Sequence, residues 1–228
     1  MKRGRTIQER PTQEWKDEHA ARIAKKILRG DYSGALPIAK SGWKQYPRDV
    51  FCRFQYAKIL GDWADELPAN RKRKLKREAI AILRPLLRSL RGEAPKTRFG
   101  ICLNYYYQSE DFPGMVRFGR RLAARKDRQG FYAIGIGSAL EGMRRRKTKP
   151  GLSRSCARRS LQAWVRYDLK KEKYYFPHYI EAMAFGLLGE KEKGLHSLKR
   201  AARASGRRVT DWEFADVRAL FDEKSHLV

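Results

Sequence analysis

Hydrophobic and polar positions follow a helical period along most of the chain, and turns interrupt this period at regular intervals. The clearest example runs from His19 to Val50, where an amphipathic stretch breaks at Gly30, resumes at Ala35 and stops at Pro47. Glycine ends helices because it adopts a positive φ without strain, and proline prevents a helix from continuing. This segment therefore predicts a helix, a tight turn and a second helix.

The same kind of turn recurs along the chain. Gly30-Asp31-Tyr32 is followed by Glu110-Asp111-Phe112 and Gly189-Glu190-Lys191, at separations of 80 and 79 residues. An acid in the middle of the turn can accept a hydrogen bond from the free amides of the next helix. If each interval holds two helix pairs, further turns are needed near the midpoints. Leu67–Asn70 and Lys149–Gly151 lie there and carry the proline or glycine that interrupts helices.

This spacing predicts a series of helix pairs, each about 40 residues long. After them, Thr210 or Asp211 can cap a last helix that places Val217, Leu220 and Phe221 on one face. We expect a loose basic arm at 1–12, a repeat domain at 13–208, and a capping helix with its tail at 209–228. The predicted pairs cover residues 13–47, 49–91, 96–127, 129–171 and 174–205.

The first pair resembles a tetratricopeptide repeat, in which small residues on the second helix allow close packing and a proline closes the unit. Lys26 departs from the family pattern, which usually has a large apolar residue there, and the spacing of about 40 exceeds the typical 34. The matching residues are Gly30, Asp31, Tyr32, Ala35, Ala39 and Pro47.

The resemblance implies an all-α protein, specifically a right-handed α-solenoid of about five tetratricopeptide-like pairs with a C-terminal capping helix. In that family the first helices line a concave groove that takes peptides. A groove in this chain would bind an acidic peptide or protein partner, and Asn104, Tyr107 and Gln108 are the expected contacts.

Charge points to the kind of partner. The 52 Lys and Arg residues outnumber the 25 Asp and Glu residues, which gives a net charge of +27 and a pI near 10.4. Such an excess repels itself in a compact protein, and phosphates or carboxylates of a partner would relieve the repulsion. The alternative is a generally basic protein with no polyanion ligand.

Two clusters concentrate this charge at the two midpoint turns. The first cluster begins a predicted helix, where the helix dipole disfavours cations, so a bound anion would stabilise them there. If the period holds, both clusters emerge from one edge of the solenoid; the alternative is a pair of solvated loops. The first cluster comprises Arg71, Lys72, Arg73, Lys74, Lys76 and Arg77. The second comprises Arg144, Arg145, Arg146, Lys147 and Lys149, followed by Arg154, Arg158 and Arg159.

Arginine and aromatic residues favour a nucleic-acid partner. Arginine outnumbers lysine by 31 to 21, and guanidinium groups fork onto phosphates and stack on bases. In the runs Tyr105–Tyr107 and Tyr174–Phe176, helical geometry prevents every ring from facing the core. Exposed rings would suit base stacking, whereas packing between helices is the alternative for any one ring.

Signals for catalysis or metal binding are weak. Gly135-Ile136-Gly137 lies in an apolar helical stretch without the strand that a dinucleotide fingerprint needs, so close helix packing explains it. The histidines lack metal-ligand spacing. Asp62, Asp65 and Glu66 suit ion pairs with the first cluster better than a metal. We therefore expect a non-enzymatic protein with no cofactor, metal or catalytic residue.

The cysteines and the N-terminal sequence bear on location. Cys52, Cys102 and Cys156 are far apart and fit small buried residues. No secretory signal pattern and no long apolar run is present, so we expect a cytoplasmic protein without membrane association.

Two hypotheses follow. The first is a scaffold for a polyanion, with RNA favoured over DNA, or for a nucleoprotein complex. The second is an adaptor for an acidic protein. A helical-repeat glycosylase would need a carboxylate in a cationic cleft, and the sequence identifies none.

Overall fold

The computed structural model describes residues 10–27, 29–169, 172, 174–206 and 214–222. Within these ranges the chain forms eleven α-helices and no strand, which confirms the all-α prediction. The helices are α1 (Gln13–Ile27), α2 (Tyr32–Gln45), α3 (Val50–Asp65), α4 (Ala69–Leu86), α5 (Pro95–Gln108), α6 (Phe112–Ala123), α7 (Gln129–Arg145), α8 (Pro150–Tyr167), α9 (Tyr175–Leu187), α10 (Lys191–Ser205) and α11 (Ala215–Asp222).

These bounds agree with the predicted helices. Each predicted pair contains two consecutive helices, and α11 falls where the last helix is expected. The predicted N-cap of that last helix, Thr210 or Asp211, lies outside the described residues, as does most of the expected arm at 1–12.

The three recurring turns share one backbone conformation. Asp31, Asp111 and Glu190 precede the second helices with φ, ψ of −87°, 68°, then −84°, 66°, then −83°, 68°. The Asp31 carboxylate accepts a hydrogen bond from the Gly34 amide at 2.7 Å, and Asp111 accepts one from Gly114 at 2.8 Å. The acids at the first two turns therefore cap the following helix, as the sequence predicts.

The residue before each of these acids adopts a positive φ. Gly30 and Gly189 do so at 72° and 77°, and Glu110 does so at 54°. Positive φ strains a residue with a side chain more than it strains glycine. Glu110 is therefore the one strained position among the three equivalent turns.

The midpoint turns are of a different kind. Pro68 is the N-cap residue of α4, and Pro150 is the first residue of α8. Neither helix start has a side-chain cap, and proline is well suited to a position where no amide hydrogen is needed. Both predicted midpoint turns are confirmed.

The chain divides into two compact units, residues 1–110 and 111–228. In the first unit, α3 packs against α2, α4 and α5. Ile59 and Leu60 of α3 meet Leu83 and Leu86 of α4 in a common core that also includes Ile101 of α5. The helix α3 is thus the centre of this unit.

In the second unit, α7 and α9 form the interior. The helix α7 packs against α6, α8 and α9, and α9 packs also against α8, α10 and α11. Both are hydrophobic on most sides, as expected for buried helices. The flanking helices α6, α8 and α10 pack chiefly on these two.

Glycines bring α7 close to its neighbours. A Cβ atom at Gly135 would lie 2.6 Å from the Trp164 ring, and one at Gly130 would lie 2.4 Å from the Ala123 backbone. The Ser160 hydroxyl donates to the Gly135 carbonyl at 2.8 Å. The Gly135-Ile136-Gly137 sequence is therefore a helix-packing feature, as predicted.

None of the helices in the described residues is both long and apolar enough to cross a bilayer.

Candidate nucleic-acid interface

Charge is distributed unequally between the first and second helices of the five pairs. The second helices, α2, α4, α6, α8 and α10, together carry 21 Lys and Arg against two Asp and Glu. The first helices, α1, α3, α5, α7 and α9, carry ten against seven. The two basic turns predicted from sequence account for part of this excess, and a count of charges for each predicted helix would have found the alternation.

In the first cluster, two lysines are held by internal acids. Lys72 Nζ and Lys76 Nζ lie 2.9 and 3.0 Å from the same oxygen, Oδ1 of Asp65. Lys76 Nζ is also 3.7 Å from Oε1 of Glu110, and the Lys76 side chain is only 12% exposed. Asp65 thus neutralises part of the cluster, as predicted, whereas Asp62 pairs with Lys58.

The other four members of the first cluster face solvent. Arg71, Arg73, Lys74 and Arg77 are exposed, and the described residues offer none of them an acid within ion-pair distance. They occupy the first three turns of α4, where the dipole disfavours positive charge. These side chains are available to an anion.

A groove lies beside this cluster. It has a volume of about 310 Å³ and runs between the N-terminal half of α4 and the end of α5. Four of its lining side chains are cationic, and one is a carboxylate. The lining residues are Ala69, Lys72, Arg73, Lys76, Arg77, Ile80, Gln108, Ser109 and Glu110.

Of the three residues predicted to contact a peptide, only Gln108 lines this groove. The Asn104 amide donates to the Gly100 carbonyl of its own helix at 2.9 Å. Tyr107 is half-buried, and its ring centroid lies 5.6 Å from Lys76 Nζ. Gln108 is 2% exposed.

In the second cluster, Glu141 captures the first two arginines. Arg145 Nε donates to Glu141 Oε1 at 2.8 Å, and Arg144 Nη2 lies 2.6 Å from Oε2. Burial alone would raise the Glu141 pKa, but the two arginines outweigh it and hold the pKa below its usual value. Arg144 and Arg145 are therefore partly neutralised.

The remaining second-cluster cations lie further along the chain. Lys147 and Lys149 are exposed, and Arg154 and Arg158 are exposed one turn apart on α8, which contains no acid. Arg146 is half-buried, with Nη1 at 3.8 Å from Met143 Sδ. The accessible charge of the second cluster thus lies mainly on α8 and the turn before it. The prediction that both clusters share one edge of a solenoid stays a prediction.

Most of the predicted aromatic surface is used for packing. Tyr105 and Tyr106 are half-buried with ring centroids 5.7 Å apart, and Phe176 stacks on Tyr179 at 6.2 Å. Tyr174 is 75% exposed. It is the member of the two runs that presents a largely open ring.

Histidine and cysteine side chains form no metal site in the described part of the chain, where no group of three His, Cys, Asp or Glu residues could hold an ion. His178 is buried with Nε2 at 3.2 Å from the Glu172 carbonyl, whereas His196 is exposed. Burial raises the pKa of Cys52 to about 12 and also raises that of Cys156, so neither thiol is activated.

Comparison with known proteins identifies no relative: no protein-family model matches the chain, and neither the curated proteins nor the solved structures give a significant match.

Proposed function

We propose that this protein is a non-enzymatic helical scaffold that binds nucleic acid, RNA in preference to DNA, through the exposed cations of its second helices. The observation that carries the proposal is the charge ratio of 21 to two on the second helices, against ten to seven on the first. We also propose that the helix pairs stack into a right-handed, tetratricopeptide-like solenoid.

The distribution of charge supports a polyanion rather than general solubility. A solubility requirement would be met by cations on any exposed helix, and lysine would serve as well as arginine. Here α6 and α8 contain arginine as their only charged residue type. Arginine is the side chain whose planar donors match phosphate oxygens.

The spacing on α8 suits consecutive phosphates. Arg154 and Arg158 are four residues apart, so they are separated by about 6 Å along the helix. Contacts of this kind position a backbone but carry little sequence information. The scaffold would therefore bind many sequences with similar affinity.

The test is the salt dependence of RNA binding. Fluorescence anisotropy with a single-stranded RNA should show affinity falling steeply between about 0.05 and about 0.2 M NaCl. The double variant R154Q/R158Q should reduce the slope of log K against log salt by about 1.4, because two phosphate contacts to a single strand are lost.

A matched control removes the same number of positive charges from the first helices instead. The variant R22Q/R53Q removes two arginines from α1 and α3, and its slope should stay close to that of the wild type. Binding that does not change with salt would contradict the proposal. Equal slopes for the two double variants would contradict the role of α8.

A further inference from the structure

Glu110 adopts a backbone conformation that disfavours its own side chain. Its φ of 54° lies in the left-handed region, where the two equivalent turns have glycine, at Gly30 and Gly189. A residue with a Cβ atom is strained in this region, whereas glycine is not. Glycine would therefore form the same turn with less strain, so the turn itself does not require a glutamate.

The Glu110 carboxylate lies at the wall of the cationic groove beside α4. Its Oε1 atom is 3.7 Å from Lys76 Nζ, and its side chain is 56% exposed. Asp65 bonds the same ammonium group at 3.0 Å and is less exposed, at 27%. An exposed ion pair at the longer distance contributes little to stability. Asp65 therefore fixes Lys76 in place, while the weaker contact with Glu110 can be replaced by another anion.

One face of α4 brings further cations beside Lys76. Arg73 precedes Lys76 by three residues and Arg77 by four, a spacing that makes side chains neighbours on a helix surface. Both arginines are exposed and line the groove. A lysine ammonium group has three donors, of which the bond to Asp65 uses one. Lys76 and Arg73 can therefore bind one anion together.

We propose that this groove binds a phosphate group of the RNA backbone, and that Glu110 is an internal competitor that the phosphate displaces from Lys76. The phosphate accepts hydrogen bonds from Lys76 and Arg73, and Arg77, about 6 Å further along α4, contacts the next phosphate. The inference rests on the proposed function and adds a site at which an acidic side chain limits the affinity for RNA. The charge of Glu110 repels the incoming phosphate, so binding requires this carboxylate to move away from Lys76.

Removing the carboxylate should tighten RNA binding. Glu110→Gln keeps the length of the side chain and removes its charge. Fluorescence anisotropy at about 0.05 M NaCl should show that this variant binds a single-stranded RNA about threefold more tightly than the wild type. The matched control is Glu18→Gln, which removes an exposed carboxylate from α1 and changes the net charge by the same amount. Its affinity should stay close to that of the wild type.

A double-mutant cycle locates the effect in the groove. In the R73Q/R77Q background the phosphate site is lost, so Glu110→Gln should no longer tighten RNA binding. Glu18→Gln should have the same small effect in both backgrounds.

Glu110→Gly separates the charge from the backbone strain. It should tighten RNA binding as Glu110→Gln does, and it should also raise the unfolding temperature of the free protein, because the strain is removed. Glu110→Gln keeps the strain and should not raise the unfolding temperature. If Glu110→Gly unfolded at a lower temperature than the wild type, the turn would require the glutamate, and its role as a competitor would be overturned.

The groove site and the scaffold function fail in different ways. Equal affinities of Glu110→Gln and Glu18→Gln, or a full effect of Glu110→Gln in the R73Q/R77Q background, would overturn the groove site. Salt-dependent RNA binding would then still support the scaffold function. A wild type that binds no RNA at low salt would overturn the scaffold function itself.

Discussion

Two buried histidines make stability depend on pH. His19 is 4% exposed and stacks on Trp15 with ring centroids 4.4 Å apart, and its Nε2 has no partner in the described part of the chain. Burial, assisted by Arg22, lowers the His19 pKa below its ordinary value of 6.5. Burial also lowers the pKa of His178, which is 3% exposed. Both side chains are therefore held neutral in the folded protein.

The unfolding temperature should fall between about pH 7.5 and about pH 5.5. A histidine with a lowered folded pKa contributes stability above its unfolded pKa, and this contribution is lost as pH falls from there through the folded pKa. The double variant H19Q/H178Q should be less stable at pH 7.5 but should show a smaller change with pH. Thermal unfolding across this range measures both effects.

The exposed His196 supplies the control. His196→Gln should show the same pH dependence of the unfolding temperature as the wild type. If H19Q/H178Q kept the full dependence, the buried histidines would not be its source.

At the residue scale, sequence pattern succeeds where the chemistry is local. Asp31 and Asp111 cap helices that begin at the next residue, so composition near the turn is sufficient to predict them. Glu141 precedes Arg144 and Arg145 by three and four residues, and this spacing on a helix could have predicted their ion pairs. That the buried Gln108 amide has no hydrogen-bond partner among the described residues could not be predicted, because its burial depends on contact with Gly61 of α3.

At the scale of elements, the helices are positioned by close approach of small residues. Gly135 meets the Trp164 ring, and Gly142 meets Leu187 and the Ser153 backbone. The periodic pattern predicted the helix boundaries because hydrophobic period and turn residues agree in this chain. It did not predict which helix lies inside, since that depends on packing with both neighbours.

Gly135→Ala should destabilise the protein by about 1–3 kcal/mol, because its Cβ atom would lie 2.6 Å from the buried Trp164 ring. Gly151→Ala is the opposite case. Gly151 is exposed at the start of α8, with no atom within 4 Å of an added Cβ, and the change should stabilise by about 0.4–1 kcal/mol. Urea unfolding of the two variants measures the change in the free energy of unfolding, which should have opposite signs. A neutral Gly135→Ala would contradict the close packing of α7 on α8.

For the whole molecule, the net charge of +27 is a source of instability as well as the basis of the proposed binding. The exposed arginines of α8 have no acid on their own helix to offset them. Net charge far from zero opposes the compact state through self-repulsion, and dissolved ions screen it. The sequence was sufficient to establish this excess, and the anionic partner stays a prediction, but placing the charge required knowing which helices lie inside.

The unfolding temperature of the free protein should therefore rise when NaCl increases from about 0.05 to about 0.5 M, while RNA affinity falls. The variant R73Q/R77Q/R154Q/R158Q removes four exposed cations of the second helices, and its unfolding temperature should rise less over the same range. Differential scanning calorimetry provides the comparison. An equal rise in the two proteins would show that these side chains do not carry the repulsion.

The two kinds of turn alternate, with acidic turns at Asp31, Asp111 and Glu190 and proline turns at Pro68 and Pro150. A segment that begins and ends at turns of the same kind therefore contains four helices, or about 80 residues. A shorter or longer protein built on this plan would keep the alternation only by losing or gaining helices in fours, since removing a single pair would leave two turns of the same kind next to each other.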